Sequence, residues 1–230
     1  MKKVKVIAPL ILGILLILGS IWYYTSDPTT FPTDEELIAE MADHFSIVTD
    51  SVIQDRVFLD DRHVFVPFIA KGVIYGLSLW EWKNRKWNEV LVSTSGSIKV
   101  WKVNSKDPTS YYAVWNYPPQ DQVKYMKHYL INKRGFHISE GEHHYYPAVQ
   151  LEETITLSES LYGNMKLSKE WTSVINSLNG STVPSYYFGW NTYDSSDKII
   201  YPKVNENGGS SSGGNTEIKF PVFLNETEIE

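Results

Sequence analysis

The stretch HVFVPFIAKGVIYGLSLWEWKNRKWNEVLVS, residues 63–93, decides the fold class. Its apolar residues recur at every second position, as in Val64, Val66 and Phe68, and this is the period of a β-strand. The turn signal Lys83–Lys86 separates two such runs, and short turns of this kind join antiparallel neighbours. The stretch therefore predicts consecutive strands of an antiparallel meander.

The same alternation recurs along the rest of the chain. The further strands that it predicts are Ile98–Val103, Tyr111–Tyr117, Lys124–Ile131, Gly135–Ser139, Gln150–Leu157, Ser185–Tyr193, Lys198–Val204 and Glu217–Leu224. We expect Lys124–Ile131 and Gly135–Ser139 to form a hairpin, with a helix over 120–130 as the alternative. Several strands carry apolar residues on both faces, which favours a sandwich or a barrel-like domain over one open sheet. The expected fold class is mainly β, with α+β as the alternative.

Two helices are expected beside the strands. The first covers roughly 34–45, because Thr33 opens the sequence T-D-E-E and Glu36 then stands where a capping box requires a glutamate. Apolar residues follow at helical spacing. The second helix is predicted at Leu167–Leu178, and an Asn-Gly pair directly after it is a typical stop signal.

The N-terminus carries a long apolar segment, Val6–Tyr24, which follows the lysines of Lys2–Lys5. As a helix this segment would span about 28 Å, close to the hydrocarbon thickness of a bilayer. A cleaved signal peptide is the alternative, but cleavage requires small residues at the first and third positions before the cut. A cut after Gly19 would place Ile17 at the third position. An uncleaved signal anchor is therefore the preferred interpretation.

Charge on the two sides of the apolar segment sets its expected orientation. Basic residues precede it and acidic residues follow it, so the N-terminus is expected to stay in the cytoplasm. The predicted organisation is a cytoplasmic tail at 1–5, a transmembrane anchor at 6–24, a tether at 25–33 and an extracytoplasmic β-rich domain at 34–230. Within that domain, the Gly- and Ser-rich segment 205–215 is predicted to be a flexible loop.

Composition excludes several classes of protein. The 230-residue chain has no cysteine, so disulfide scaffolds, thiolate zinc sites, iron–sulfur clusters and a cysteine nucleophile are all excluded. The formal net charge is −6, and this acidic balance argues against nucleic acid as a partner. Basic residues nevertheless outnumber acidic ones locally in Trp80–Lys106.

This basic segment also holds tryptophans and is the candidate ligand-binding site. Trp80, Trp82 and Trp87 flank the turn Lys83–Lys86, and Trp101 follows on a later strand between two lysines. Indole faces can stack on sugar rings, and neighbouring cations can pair with phosphate or carboxylate groups. The alternative is that the tryptophans pack in the core and the basic turn only keeps the hairpin soluble. The candidate residues are Trp80, Trp82, Lys83, Arg85, Lys86, Trp87, Lys99 and Trp101.

Two other segments contain residues that are common in catalytic or metal sites. His137–His144, with the sequence HISEGEHH, matches no zinc motif, and adjacent histidines on a strand would point to opposite faces. Ser195–Lys198 fits the pattern S-x-x-K, but the S-D-N and K-T-G partners of that motif are missing from the chain. No catalytic residue, metal site or cofactor is therefore predicted.

These observations favour a membrane-anchored extracytoplasmic binding or interaction module. Its expected partner is an anionic polymer of the cell envelope, such as a cell-wall polymer, or another membrane protein. One alternative is a glycan hydrolase whose carboxylates the sequence does not locate, since such a site needs only two well-placed carboxyl groups. Another is a structural subunit of a membrane complex, with the strand at Glu217–Leu224 available to complete a partner's sheet.

Overall fold

The structure is a computed structural model, and it describes residues 12–19, 23, 26–119, 122–157, 162–179, 186–203, 209–212, 217–225 and 228–229. The helices are α1 (Asp34–Ala42), α2 (Lys169–Asn179) and a short 3₁₀ turn at Ser46–Val48, and residues 12–19 are also helical. The strands are β1 (Val52–Ile53), β2 (Val57–Asp60), β3 (His63–Ala70), β4 (Ile74–Lys83), β5 (Lys86–Ser93), β6 (Lys99–Lys102), β7 (Tyr111–Asn116), β8 (Tyr125–Asn132), β9 (Gly135–Ser139), β10 (Glu142–Tyr146), β11 (Val149–Thr156), β12 (Tyr162–Lys166), β13 (Tyr186–Tyr193), β14 (Ile199–Ile200), β15 (Ser210–Ser212), β16 (Glu217–Lys219) and β17 (Val222–Phe223).

The strands form three larger sheets and one separate hairpin. Sheet A has the order β1-β3-β4-β5-β15, with β2 also paired to β3, and sheet B has the order β12-β7-β6-β16. Sheet C has the order β11-β8-β13-β14, with β17 also paired to β13, and β9 pairs only with β10. The pairs are antiparallel except for β13 with β17. The prediction of a mainly β, antiparallel fold is thus confirmed, while no sheet in the described residues closes into a barrel.

The sheets are stacked in layers with separate apolar clusters between them. Sheet A packs against sheet B through residues such as Leu79 and Trp101. Its outer face is covered by α1, where Leu37 and Met41 are fully buried. The other face of sheet B shares a larger cluster with sheet C and α2. This stacking explains why several strands carry apolar residues on both faces.

The helix starts follow the local sequence signals. The Thr33 hydroxyl accepts from the backbone N–H of Glu36, and the Glu36 carboxylate accepts from that of Thr33 at 2.8 Å, which completes the predicted capping box. Helix α1 ends at Ala42, earlier than the predicted end at residue 45. Helix α2 is shifted by one or two residues from its predicted range.

The predicted hairpin of Lys124–Ile131 with Gly135–Ser139 is wrong, and so is the helical alternative for the described part of 120–130. Strand β8 pairs with β11 and β13, while β9 pairs with β10. The reason lies in the β9–β10 turn, where Glu140 and Gly141 have φ values of 53° and 84°. Such a two-residue turn fits the twist of the strands that it joins, so β9 folds onto the strand that follows it.

The C-terminal segment contributes one strand to each larger sheet. The single strand predicted at Glu217–Leu224 is wrong, because β16 joins sheet B and β17 joins sheet C, with Pro221 between them. Proline has no N–H to donate to a sheet. Strand β15, inside the loop predicted at 205–215, pairs with β5 of sheet A, and residues 205–208 and 213–215 lie outside the described residues. Of the strand predicted at Lys198–Val204, the described residues 198–203 form only β14.

The predicted anchor, Val6–Tyr24, is described only at residues 12–19 and 23. The leucine and isoleucine side chains of 12–19 are exposed. None of the helices in the described part of the chain has both the length and the apolar character needed to cross a bilayer. The predicted tail at 1–5 lies outside the described residues.

Candidate functional site

The segment predicted as a tether is bound to sheet A. The carbonyl oxygen of Ser26 accepts from the guanidinium of Arg62 at 2.7 Å and from the indole N–H of Trp82 at 3.3 Å. The carbonyl oxygen of Thr29 accepts from the indole N–H of Trp87 at 3.1 Å. Together with a Phe31 ring that packs edge-on against Trp87, these bonds fix the chain that enters the domain.

The four candidate tryptophans are buried. Their exposed fractions are 0% for Trp80, 4% for Trp82, 8% for Trp87 and 0% for Trp101. The first three pack in the cluster beneath α1, and Trp101 packs between sheets A and B. The expected surface of stacked indole rings is therefore not formed by these residues. On β4, the alternate residues Trp80 and Trp82 face the side that α1 and the tether cover.

Lys99 is also withdrawn from the surface. Its ammonium group donates to the carbonyl oxygen of Ser97 at 2.9 Å and to the Ser97 hydroxyl at 2.6 Å, and it lies 5.5 Å from the centre of the Phe220 ring. Among the described residues no carboxylate forms an ion pair with it. Burial lowers the pKa of Lys99 to about 8. This side chain is part of the interior rather than of a binding surface.

Replacing Lys99 by methionine is expected to stabilise the domain at pH 7 by about 1–2 kcal/mol, since methionine fills the space without a buried charge. The folded state holds the Lys99 proton less tightly than the unfolded chain, whose pKa is 10.5. Wild-type stability should therefore rise from pH 8 to pH 10.5 relative to Lys99→Met. Urea denaturation across this range measures both effects. A variant less stable at every pH would show that the bonds to Ser97 outweigh the cost of burial.

The basic turn between β4 and β5 is exposed. Lys83, Asn84, Arg85 and Lys86 all lie at the surface, and the Lys83 ammonium is 3.8 Å from a Glu81 carboxylate oxygen. Asn84 and Arg85 have φ values of 54° and 61°, which form a tight two-residue turn. The three basic candidates of this turn thus remain together at the surface.

A cleft of about 400 Å³ lies at the same end of sheet A as this turn. Lys83 belongs to both features, and Trp101 and Lys102 of sheet B also line the cleft. The lining includes both carboxylates and cations, and the Lys102 ammonium is 3.6 Å from a Glu217 carboxylate oxygen. The charged lining residues are Asp60, Arg62, Glu81, Lys83, Lys102 and Glu217.

His63 is the distinctive residue of this cleft. Its Nδ1 is 2.7 Å and 2.9 Å from the two carboxylate oxygens of Asp60, and its ring packs edge-on against Trp101 at 5.1 Å. Partial burial by itself raises the pKa of Asp60, but hydrogen bonds from His63 and from the Arg62 backbone outweigh it and hold this pKa below its usual value. The ionised Asp60 therefore favours the tautomer with the proton on Nδ1.

The other ring nitrogen of His63 lacks a hydrogen-bond partner in the described part of the chain. This Nε2 is buried, and the nearest carboxylate oxygen of Glu81 is 3.9 Å away. In the favoured tautomer Nε2 carries a lone pair, so it can accept a hydrogen bond from a hydroxyl group. An imidazole oriented by a carboxylate can also act as a general base. The arrangement suits either binding or proton transfer.

Sequence reasoning missed both Asp60 and His63. Asp60 ends β2 and His63 begins β3, but an Asp and a His three residues apart are too common in loops to predict a site. What makes them distinctive is the register that places His63 opposite Glu81, together with Trp101 from sheet B. Only the paired sheets bring these residues together.

The two other segments weighed in the sequence adopt ordinary turn structures. His143 and His144 are adjacent residues of β10, and His143 is exposed. The segment Ser195–Lys198 is the turn between β13 and β14, where the carboxylate of Asp194 accepts from the backbone N–H of Ser196 at 2.8 Å. In the described residues, no group of three or more potential ligand side chains is placed to hold a metal ion.

Comparisons of the chain with protein families, with curated proteins and with solved structures gave no match. The function is therefore inferred from three features of this chain: the cleft around His63, the basic turn beside it, and the tether bound to sheet A. Arg62 connects the cleft with the tether, because it lines the cleft and also donates to the carbonyl oxygen of Ser26.

Proposed function

We propose that the chain is a membrane-anchored extracytoplasmic binding module whose ligand site is the cleft around His63. The observation that carries this proposal is the buried Nε2 of His63, which lacks a hydrogen-bond partner among the described residues. A buried polar atom without a partner costs roughly 1–3 kcal/mol. His63 lines the cleft, so a ligand bound there would recover this cost by supplying the missing hydrogen bond.

Anchoring is supported by the apolar segment Val6–Tyr24 and by the lysines before it. The exposed apolar side chains of the helical residues 12–19 are costly in water and favourable in lipid. The tether bonds of Ser26 and Thr29 would then hold the cleft close to the bilayer in a fixed orientation. The proposed location is the outer face of the cell membrane, with the N-terminus in the cytoplasm.

The chemistry of the cleft favours a polar, hydroxyl-bearing ligand. Nε2 of His63 accepts a hydrogen bond, and the walls offer both carboxylates and cations. A glycan polymer of the cell envelope carries hydroxyl groups together with charged substituents, so it matches this mixture better than an apolar ligand does. The proposed polymer contacts involve His63 and Lys102 rather than indole faces.

A glycan hydrolase is a second candidate, because Asp60, Glu81 and Glu217 line the same cleft as His63. Glycoside hydrolysis uses a pair of carboxyl groups, and an oriented imidazole can serve as a base. The two functions differ in outcome, since a hydrolase releases new reducing ends with time and a binding module does not.

Replacing His63 by phenylalanine is expected to weaken ligand binding about 3- to 10-fold, because one hydrogen bond is lost while the ring contact with Trp101 is kept. The full chain in detergent micelles would be titrated by calorimetry with soluble peptidoglycan fragments. His143→Phe, at an exposed position of β10, is the matched control and should bind as the wild type does.

Binding and the release of reducing ends distinguish a glycan-binding site from a glycan hydrolase. Absence of binding to the wild type, or equal binding by His63→Phe, would overturn the cleft as a glycan site. Reducing ends that accumulate with the wild type and not with His63→Phe would establish the hydrolase instead. Retention of the chain in membranes after an alkaline carbonate wash tests the anchor separately.

A further inference from the structure

The turn between β4 and β5 carries three basic residues although its geometry favours other residue types. A two-residue turn with positive φ at both positions is most stable with Asn followed by Gly, yet Arg85 occupies the second position with φ 61°. Lys83 and Lys86 are direct cross-strand partners, and like charges in such a pair are destabilising. Both features destabilise the turn, and both result from the three basic residues that lie together at this point of the surface.

The position of this turn shows what the cations would face. The Tyr23 hydroxyl donates to the carbonyl oxygen of Asn84 at 3.4 Å, and the indole of Trp82, one residue before the turn, holds the carbonyl of Ser26. Tyr23 lies only a few residues after the exposed apolar helix at 12–19. The basic turn is thus beside the point where the chain passes from the apolar segment into the domain.

We propose that Lys83, Arg85 and Lys86 bind the phosphate groups of anionic phospholipids in the membrane that holds the apolar segment. This inference rests on the proposed membrane anchor. Each basic side chain close to an anionic surface contributes about 1 kcal/mol, which for three residues corresponds to roughly a hundredfold in association. The contact would hold the β4–β5 turn at the headgroups.

Acidic side chains near the turn weaken its attraction to anionic phospholipids. Glu81 is close to Lys83, and Glu36 and Glu40 of α1 line a shallow hollow together with Arg85 and Lys86. The carboxylate of Glu36 is engaged at the N-terminus of α1, where it accepts from the backbone of Thr33. Removing the charge of Glu40 should therefore strengthen the contact between the turn and the lipids. Glu40→Gln thus provides a variant with the opposite effect to loss of the basic residues.

The test uses a fluorescent label on the full chain in vesicles. Since the sequence has no cysteine, Asn84→Cys provides a single attachment site in the turn. Val73→Cys, in the exposed turn at the other end of β4, is the matched control about 30 Å away. The vesicles contain a nitroxide quencher on the lipid headgroups and are either phosphatidylcholine alone or phosphatidylcholine with phosphatidylglycerol.

The label in the turn is expected to be quenched strongly only with phosphatidylglycerol, and salt at about 1 M should reverse the quenching, because the screening length there is about 3 Å. Changing Lys83, Arg85 and Lys86 to glutamine should reduce the quenching to the phosphatidylcholine level. Glu40→Gln should increase it. The label at Val73 should stay unquenched in both kinds of vesicle.

Equal quenching in both kinds of vesicle would overturn the inference, as would phosphatidylglycerol-dependent quenching that survives the triple glutamine change. Displacement by soluble poly(glycerol phosphate), without any effect of phosphatidylglycerol, would assign the turn to a soluble polyanion and would also overturn it. Flotation of the chain with the vesicles after carbonate treatment shows whether the anchor holds. A chain that floats but is not quenched contradicts the headgroup contact alone, whereas a chain that does not float contradicts the anchor.

Discussion

The wild-type domain is expected to lose about 3 kcal/mol of its free energy of unfolding between about pH 6.5 and pH 4 because of His128. Replacing His128 by leucine should abolish this loss. His128 lies on β8 and is fully buried, with its ring 5.0 Å from that of Trp171 and 5.6 Å from that of Phe188. Neither ring nitrogen has a hydrogen-bond partner within the described residues. Burial lowers the pKa of His128 to about 3, from 6.5 in the unfolded chain.

The direction of the effect follows from proton binding. Below pH 6.5 the unfolded chain takes up a proton at His128 that the folded domain excludes, so acid favours unfolding by about 1.4 kcal/mol per pH unit. Leucine is similar in size, is apolar and takes up no proton. Urea denaturation of both proteins at several pH values gives the difference, with His143→Leu at an exposed position of β10 as the control. Parallel pH profiles for wild type and His128→Leu would contradict the assignment.

Replacing Asn116 by aspartate is expected to destabilise the domain by about 3–5 kcal/mol at pH 7, although the two side chains have the same shape. The Asn116 amide nitrogen donates to Gln54 Oε1 at 2.7 Å, to the carbonyl of Gly76 at 2.7 Å and to the carbonyl of Phe68 at 3.1 Å. An aspartate would place a carboxylate against these acceptors. The side chain belongs to sheet B and its partners lie on or next to sheet A, so the change acts at the contact between the two sheets.

The buried carboxylate of Asn116→Asp has a second expected effect, which is a partial recovery of stability at low pH. The new carboxyl group can donate one hydrogen bond once it is protonated, so the stability of Asn116→Asp should rise as the pH falls below the raised pKa of that group. Asn104→Asp is the matched control, because the exposed Asn104 side chain accepts from the backbone N–H of Lys106 and aspartate can do the same. A loss of less than about 1 kcal/mol for Asn116→Asp, which is no more than an ordinary hydrogen bond contributes, would show that the sheets do not depend on this amide.

Local patterns were sufficient to predict most of the elements. The alternation in β3 to β7 is strong because each of these strands has at least one fully buried face, and the Thr33 capping box is a contact between residues three apart. Such signals do not depend on where the rest of the chain lies. The choice of a strand's partner does depend on where the rest of the chain lies. For this reason the sequence pattern pairs β8 with the neighbouring β9, whereas the structure pairs it with β11 and β13.

For the same reason, the sequence alone does not show which of the candidate residues reach the surface. Alternation shows that Trp80 and Trp82 share a face, but it does not show what covers that face. The cover includes Phe31 and the carbonyls of Ser26 and Thr29, which lie far earlier in the chain. The basic side chains of the β4–β5 turn remained exposed because a two-residue turn has no room to bury long charged side chains.

The strands contributed by residues 210–223 have a consequence for how the protein is made. Strands β15, β16 and β17 pair with β5, β6 and β13, one in each larger sheet, and they are synthesised after all of those partners. Until they emerge from the ribosome, these pairings cannot form, and a nascent chain that lacks them keeps open edges. If the chain is exported as proposed, this delay would help to keep it unfolded enough to be threaded across the membrane. The order of biogenesis would then be insertion of the apolar segment, passage of the sheet-forming strands, and a final joining step on the far side.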